Sequence, residues 1–108
     1  MTKVLITGHT SGIGKAILEN CPGNYEVQGI SRATGHNITE DLPDVLGYIK
    51  EYKPDIFFNN VWGHGKQNEI ATWFTNRFEK GIMITTGSVS GYKHLVDALD
   101  NFYDHLLK

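Results

Sequence analysis

Apolar residues fall into two alternating patterns along the chain. The first is a short unbroken run. Val4-Leu5-Ile6 has strand length and is followed by a turn signal at Gly8. Runs of this kind, apolar on both faces, read as buried parallel strands. Residues 55–60 and 82–86 carry similar runs, and residues 25–30, interrupted by Glu26 and Gln28, are read as a further strand. The second pattern has helical spacing. It covers residues 13–20 (Ile13, Ala16, Ile17, Leu18), 44–52 (Val45, Leu46, Ile49), 68–78 (Ile70, Trp73, Phe74, Phe78) and 92–107 (Leu95, Leu99, Phe102, Leu106). Cys21-Pro22-Gly23-Asn24 and Pro54 stop the first two helices. Residues 31–40 read as a loop that carries a fifth, short strand candidate at Asn37-Ile38. Gly63-His64-Gly65 reads as a flexible link.

Strands that alternate with helices require parallel pairing through right-handed crossovers. The expected fold class is therefore α/β: a minimal Rossmann-like three-layer sandwich, with a parallel sheet of four or five strands flanked by helices. Composition agrees with a folded chain, since hydrophobic residues make up 40% and charged residues 20% of 108 residues. That length has room for one domain and one modest core, so residues 1–108 are read as a single domain. Net charge is -2, and no basic block exceeds two residues, so no nucleic-acid surface is expected. Cys21 is the single cysteine, which excludes an intrachain disulfide and fits a reducing compartment. The N-terminal apolar run is too short for a signal peptide, and no stretch reaches the ~18 apolar residues of a membrane span. The expectation is a cytoplasmic protein without a membrane partner.

The chemistry concentrates after the first strand, in Thr7-Gly8-His9-Thr10-Ser11-Gly12-Ile13-Gly14. A strand, a glycine-rich turn and a helix start place free backbone N–H groups and the positive end of a helix dipole where an anion can sit. Gly8 permits the turn, Gly12 lets phosphates approach the backbone, and Gly14 lets helix and strand pack closely. The three-spaced Gly-x-Gly-x-x-Gly fingerprint is absent. A P-loop is excluded because Gly8 to Gly14 is one residue too long and Ala16 follows Lys15.

Residues 7–14 resemble, position by position, the Thr-Gly-x-x-x-Gly-Ile-Gly opening of the short-chain dehydrogenase/reductase family. Asn59-Asn60-Val61-Trp62-Gly63 is similar to that family's Asn-Asn-Ala-Gly segment. Thr86-Gly87-Ser88-Val89-Ser90-Gly91 is similar to the segment that carries its catalytic serine. The resemblance covers the chain, with gaps, from Lys3 to Gly91. It implies a nicotinamide dinucleotide as cofactor, a small carbonyl or alcohol as substrate, Asn59 and Asn60 beside the cofactor, and Ser88 at the carbonyl. It also implies that Asn37-Ile38 lies around the adenine, where the family has an Asp and an aliphatic residue.

The residues after the second strand bear on which dinucleotide is bound. NAD-binding domains place a carboxylate there for the ribose 2′-OH, yet no Asp or Glu lies between Val27 and Thr39. Ser31 and Arg32 offer a hydroxyl and a guanidinium, which suit a 2′-phosphate, so NADP(H) is favoured over NAD(H). Ser11 stands at the family's second basic position and argues the other way.

Catalysis is where the resemblance thins. The family's Tyr-x-x-x-Lys is absent: four residues after Tyr25, Tyr48, Tyr52, Tyr92 and Tyr103 stand Gly29, Tyr52, Ile56, Val96 and Leu107. Tyr92, four residues after Ser88, is the substitute proton donor. The family is also more than twice this length, with additional helices that build its substrate pocket and dimer contact. The five histidines show no metal-ligand spacing, so no metal site is expected. His9 is placed at the phosphate and His64 at the cleft mouth. The aromatic stretch Trp62, Trp73, Phe74 and Phe78 is either core or oligomer surface, and a homo-oligomer is expected. Three readings stay open: a minimal NADP(H)-dependent oxidoreductase, a non-catalytic dinucleotide-binding module that serves as sensor, regulator or subunit, and a truncated relic whose fold persists without a ligand.

Overall fold

A computed structural model describes residues 1–86. Strand β1 (Thr2–Thr7) leads into helix α1 (Gly12–Asn20), then β2 (Tyr25–Ile30), α2 (Leu42–Tyr52), β3 (Ile56–Asn59), α3 (Lys66–Arg77) and β4 (Ile82–Thr85). The four strands form one parallel sheet in the order β2-β1-β3-β4. The described residues are thus a Rossmann-like α/β sandwich. The final helix expected over residues 92–107 lies outside them.

Strand order and crossover handedness assign the layers. The chain moves from β1 outward to β2, then back across β1 to β3 and on to β4. Right-handed crossovers therefore place α1 on one face and α2 and α3 on the other. The register agrees with this. Leu5, Phe57 and Met83 are aligned across β1, β3 and β4. They pack against Val45 and Ile49 of α2 and Ile70 and Phe74 of α3. Burying a side chain of this size stabilises the fold by about 1.5–3 kcal/mol.

The opposite face is graded. Val4 and Ile6 in β1 are 1% and 0% exposed, whereas Ile82 and Ile84, aligned with them through β3, are 58% and 45% exposed. Helix α1 buries only Gly14, and Ile13 of the expected apolar stripe is exposed.

Several expected boundaries move, for local reasons. Helix α2 begins two residues before Asp44, because the Asp41 carboxylate caps it by accepting from the Asp44 N–H, and Pro43 is tolerated in a first turn. Gly63–Gly65 is a 3-10 turn rather than a loose link, and α3 follows it directly from Lys66. The strand candidate at Asn37-Ile38 is not a strand. The Asn37 side-chain oxygen accepts the N–H groups of Thr39 and Glu40, which closes a turn in place of a ladder. The sheet therefore has four strands among the described residues.

Candidate functional site

In an open parallel sheet, ligands bind beyond the carboxyl ends of the strands where the strand order reverses. Here that point lies between β1 and β3, which are neighbours whose following helices leave in opposite directions. A cleft of about 470 Å³ opens beside it. Its walls bring together the glycine loop (Gly8, Thr10, Ser11), the end of β2 (Ile30, Ser31, Arg32), the turn residues His36 to Glu40, and Val61 and His64 from beyond β3.

The glycine loop is shaped by contacts that side chains would prevent. Gly12 has φ +56°, and a Cβ there would meet no atom within 4 Å, so the space in front of it is open. At Gly14 a Cβ would run into the Gly8 carbonyl oxygen, with the Asn60 amide nitrogen close behind. That close approach sets the start of α1 directly on the turn. The Gly8 N–H meanwhile donates to the Ile30 carbonyl at 2.9 Å and extends the ladder one step into the loop. Thr7 ties the loop to β3. Its hydroxyl donates to the Phe58 carbonyl at 3.3 Å and accepts from the Asn60 N–H at 3.0 Å. The loop is therefore held on both sides before any ligand arrives.

His9 does not line the cleft. Its ring lies on Gly29 of β2, so closely that a Cβ at Gly29 would overlap it, and its Nδ1 is buried without a hydrogen-bond partner among the described residues. The expected contact of its side chain with phosphate is replaced by packing.

The far end of the cleft is built from side-chain hydrogen bonds. The Ser31 N–H donates to the Thr34 hydroxyl at 3.0 Å, and the His36 N–H returns to the Ser31 carbonyl at 2.9 Å. Ser31 is buried; Arg32 is exposed, and no described residue forms an ion pair with it. Asn37 lines the cleft, but its oxygen is committed to the turn, leaving the amide N–H groups for a ligand. Ile38 is 7% exposed and supplies an apolar floor. His36 Nδ1 lies 2.8 Å from the Asp44 carboxylate, and its ring meets Tyr48 edge-on with centroids 5.0 Å apart. Burial pushes the Tyr48 hydroxyl above its ordinary range, so this neighbour is neutral. Glu40 also lines the cleft, one residue beyond the stretch in which a carboxylate was expected to be absent.

Asn59 and Asn60 behave differently from each other. Asn59 is fully buried and clasps α3: its side-chain N–H donates to the Gln67 carbonyl at 2.9 Å, and the Gln67 amide returns a bond to the Asn59 carbonyl at 2.8 Å. Gln67 also donates to the Thr86 carbonyl at 3.0 Å, bridging β3 and β4. Asn60 accepts from the Thr86 hydroxyl at 3.0 Å, and its amide nitrogen stands beside Gly14. Neither asparagine lines the cleft; both hold its frame. Gln67 carried no sequence signal and Thr86 only opened the serine-bearing segment, because only the fold places them beside Asn59. Ser88 and Tyr92 lie outside the described residues.

Among the described residues no cluster of three or more His, Cys, Asp and Glu stands ready for a metal, and no helix is long and apolar enough to cross a membrane. No family model, curated protein or solved structure matches this chain.

Proposed function

We propose that this protein binds a nicotinamide dinucleotide, with NADP(H) preferred, in the manner of the short-chain dehydrogenases/reductases its motifs resemble. One observation carries the reading. A single cleft runs from the glycine loop at the N-terminus of α1 to Ser31 and Arg32 beyond β2. The residues fit such a ligand: Gly12 leaves open space where a pyrophosphate would approach the backbone, and Ile38 and Val61 offer apolar surface for a base. Gly8, Thr10, Ser11, Gly12 and Ile13 would take the pyrophosphate, and Ser31 and Arg32 the 2′-phosphate.

Titration of the pure protein with NADPH, NADP, NADH and NAD tests this. The expected order places the phosphorylated pair tighter. Failure of all four to bind would sink the proposal.

Glu40 supports a second reading, because its carboxylate lines the same cleft and could accept hydrogen bonds from a ribose diol. On that reading NADH binds more tightly than NADPH, and the same titration separates the two.

For turnover we propose a minimal carbonyl reductase or its non-catalytic counterpart. When bound, the cofactor supplies the hydride; the chain's part is to position and polarise the carbonyl, with Ser88 and Tyr92 as the candidates. Without Tyr-x-x-x-Lys much of the acid catalysis, typically about 10²–10⁴-fold, is lost. Slow or undetectable NADPH oxidation with aldehydes, ketones and quinones is expected. Self-association belongs to the same proposal. Ile82 and Ile84 expose apolar surface on β4, the edge strand among the described residues. Sedimentation at micromolar concentration should show a dimer or larger species.

A further inference from the structure

We infer that His36, held by Asp44, is the second cationic group of the 2′-phosphate subsite and makes the preference for phosphorylated dinucleotides depend on pH. The inference rests on the proposed dinucleotide reading and goes beyond it, because a lone Arg32 gives no pH dependence near neutrality.

The argument starts from the turn. Ser31, Arg32 and His36 are one folded unit, in which the Ser31 carbonyl accepts the His36 N–H and the Arg32 carbonyl accepts the Gly35 N–H. All three residues line the cleft. The imidazole is fixed from two sides, by the Asp44 carboxylate at 2.8 Å on Nδ1 and by the Tyr48 ring. Nε2 makes no hydrogen bond to a described residue, and the side chain is 24% exposed. A carboxylate on one ring nitrogen orients the other and gives the imidazolium a charge-assisted partner. The groups in contact with His36 are Asp44 and Tyr48 from α2, and Arg32, Glu40 and His64 line the same cleft. Burial keeps the Tyr48 hydroxyl neutral. His64 is a second imidazole in the cleft, so the comparison of wild type with His36→Gln isolates the charge that His36 adds.

The sign follows. Histidine side chains as a class change charge between about pH 8 and about pH 5, and measurements at about pH 8.5 and about pH 6.5 sample the upper part of that range. A phosphate monoester keeps most of its second charge until about pH 6. Acidification across this window should therefore tighten NADPH and leave NADH unchanged.

The test measures NADPH and NADH affinities at both pH values for the wild-type protein, His36→Gln and Asp44→Asn. Adenosine 2′,5′-bisphosphate serves as a probe without nicotinamide. At the lower pH the wild-type NADPH-to-NADH preference should exceed that of His36→Gln by about fivefold, the scale of a partly exposed charge pair. At the higher pH the two should converge. The bisphosphate should follow NADPH. The phosphate's own titration is common to both proteins and cancels in the comparison. Asp44→Asn, which leaves the backbone cap donor in place, should shrink the gain on acidification and serves if His36→Gln does not fold. Dinucleotide binding with the same pH profile in wild type and variants would overturn the inference and leave the proposed function standing. Failure of every nucleotide to bind would overturn both.

Discussion

The two ends of the cleft are made by different means. At the glycine loop the shape comes mainly from backbone, with Gly12 in left-handed geometry and the Gly8 carbonyl pressed against Gly14, and the Thr7 hydroxyl anchors it to β3. Around residues 31–40 it comes from side chains: Thr34 and Asn37 take backbone N–H groups of Ser31, Thr39 and Glu40, and the Asp44 carboxylate holds the His36 ring. The difference assigns their tasks. A backbone cradle offers N–H groups to any phosphate and cannot tell one nucleotide from another. Side chains carry charge and are chosen residue by residue, so on the proposed reading discrimination belongs to the second end.

The comparison breaks first at Gly12. Gly12→Val should cost NADPH and NADH alike about 3 kcal/mol or more, roughly a hundredfold, since a branched side chain would fill the open space and resist φ +56°. A folded variant, verified by thermal unfolding, that binds both cofactors normally would remove the loop from the site.

Arg32→Ala tests the other end. NADPH should weaken by about 1.5–3 kcal/mol, the range for a charged hydrogen bond, with NADH nearly unaffected. Equal losses for both would show that Arg32 does not read the phosphate.

Asn37→Ala removes two backbone bonds and should lower stability by about 1 kcal/mol, measured by denaturant midpoint, with both cofactors weakened together. A selective loss of one cofactor would show that Asn37 contacts the ligand rather than shaping the turn.

The smallest effect is expected at Glu40. Glu40→Gln should tighten NADPH by less than about 1 kcal/mol, by removing an exposed like charge. A marked loss of NADH affinity instead would favour the ribose-diol reading.

The same division governs how much could be read in advance. The strand at Tyr25–Ile30 and the glycine loop depend on neighbours in sequence, and both were legible there. Gly14 kept its assigned task with a changed partner: the surface it must approach is the carbonyl of Gly8, six positions earlier. The cleft's other end was misread at Asn37-Ile38, because an apolar residue beside an asparagine resembles a strand until the amide is seen closing its own turn. His36 and Asp44 are separated by eight positions and meet only because α2 starts where it does. The clasp of Asn59, Gln67 and Thr86 joins β3, α3 and the end of β4, so no periodicity announces it. Ile13 carries the apolar spacing of residues 13–20 as well as a place in the loop, yet it is exposed and α1 buries only Gly14.

The contact of His9 with Gly29 also has a consequence for descent. A side chain at position 29 and an imidazole at position 9 cannot occupy the same volume. Neither position can drift alone toward larger residues. A lineage that acquires even alanine at 29 must first shrink or turn aside the residue at 9, so the two should change as a pair, in that order. Among descendants of this chain, a small residue at 9 beside a larger one at 29 would be the trace of that route. A retained histidine opposite a bulky residue should be found only with its ring turned off position 29.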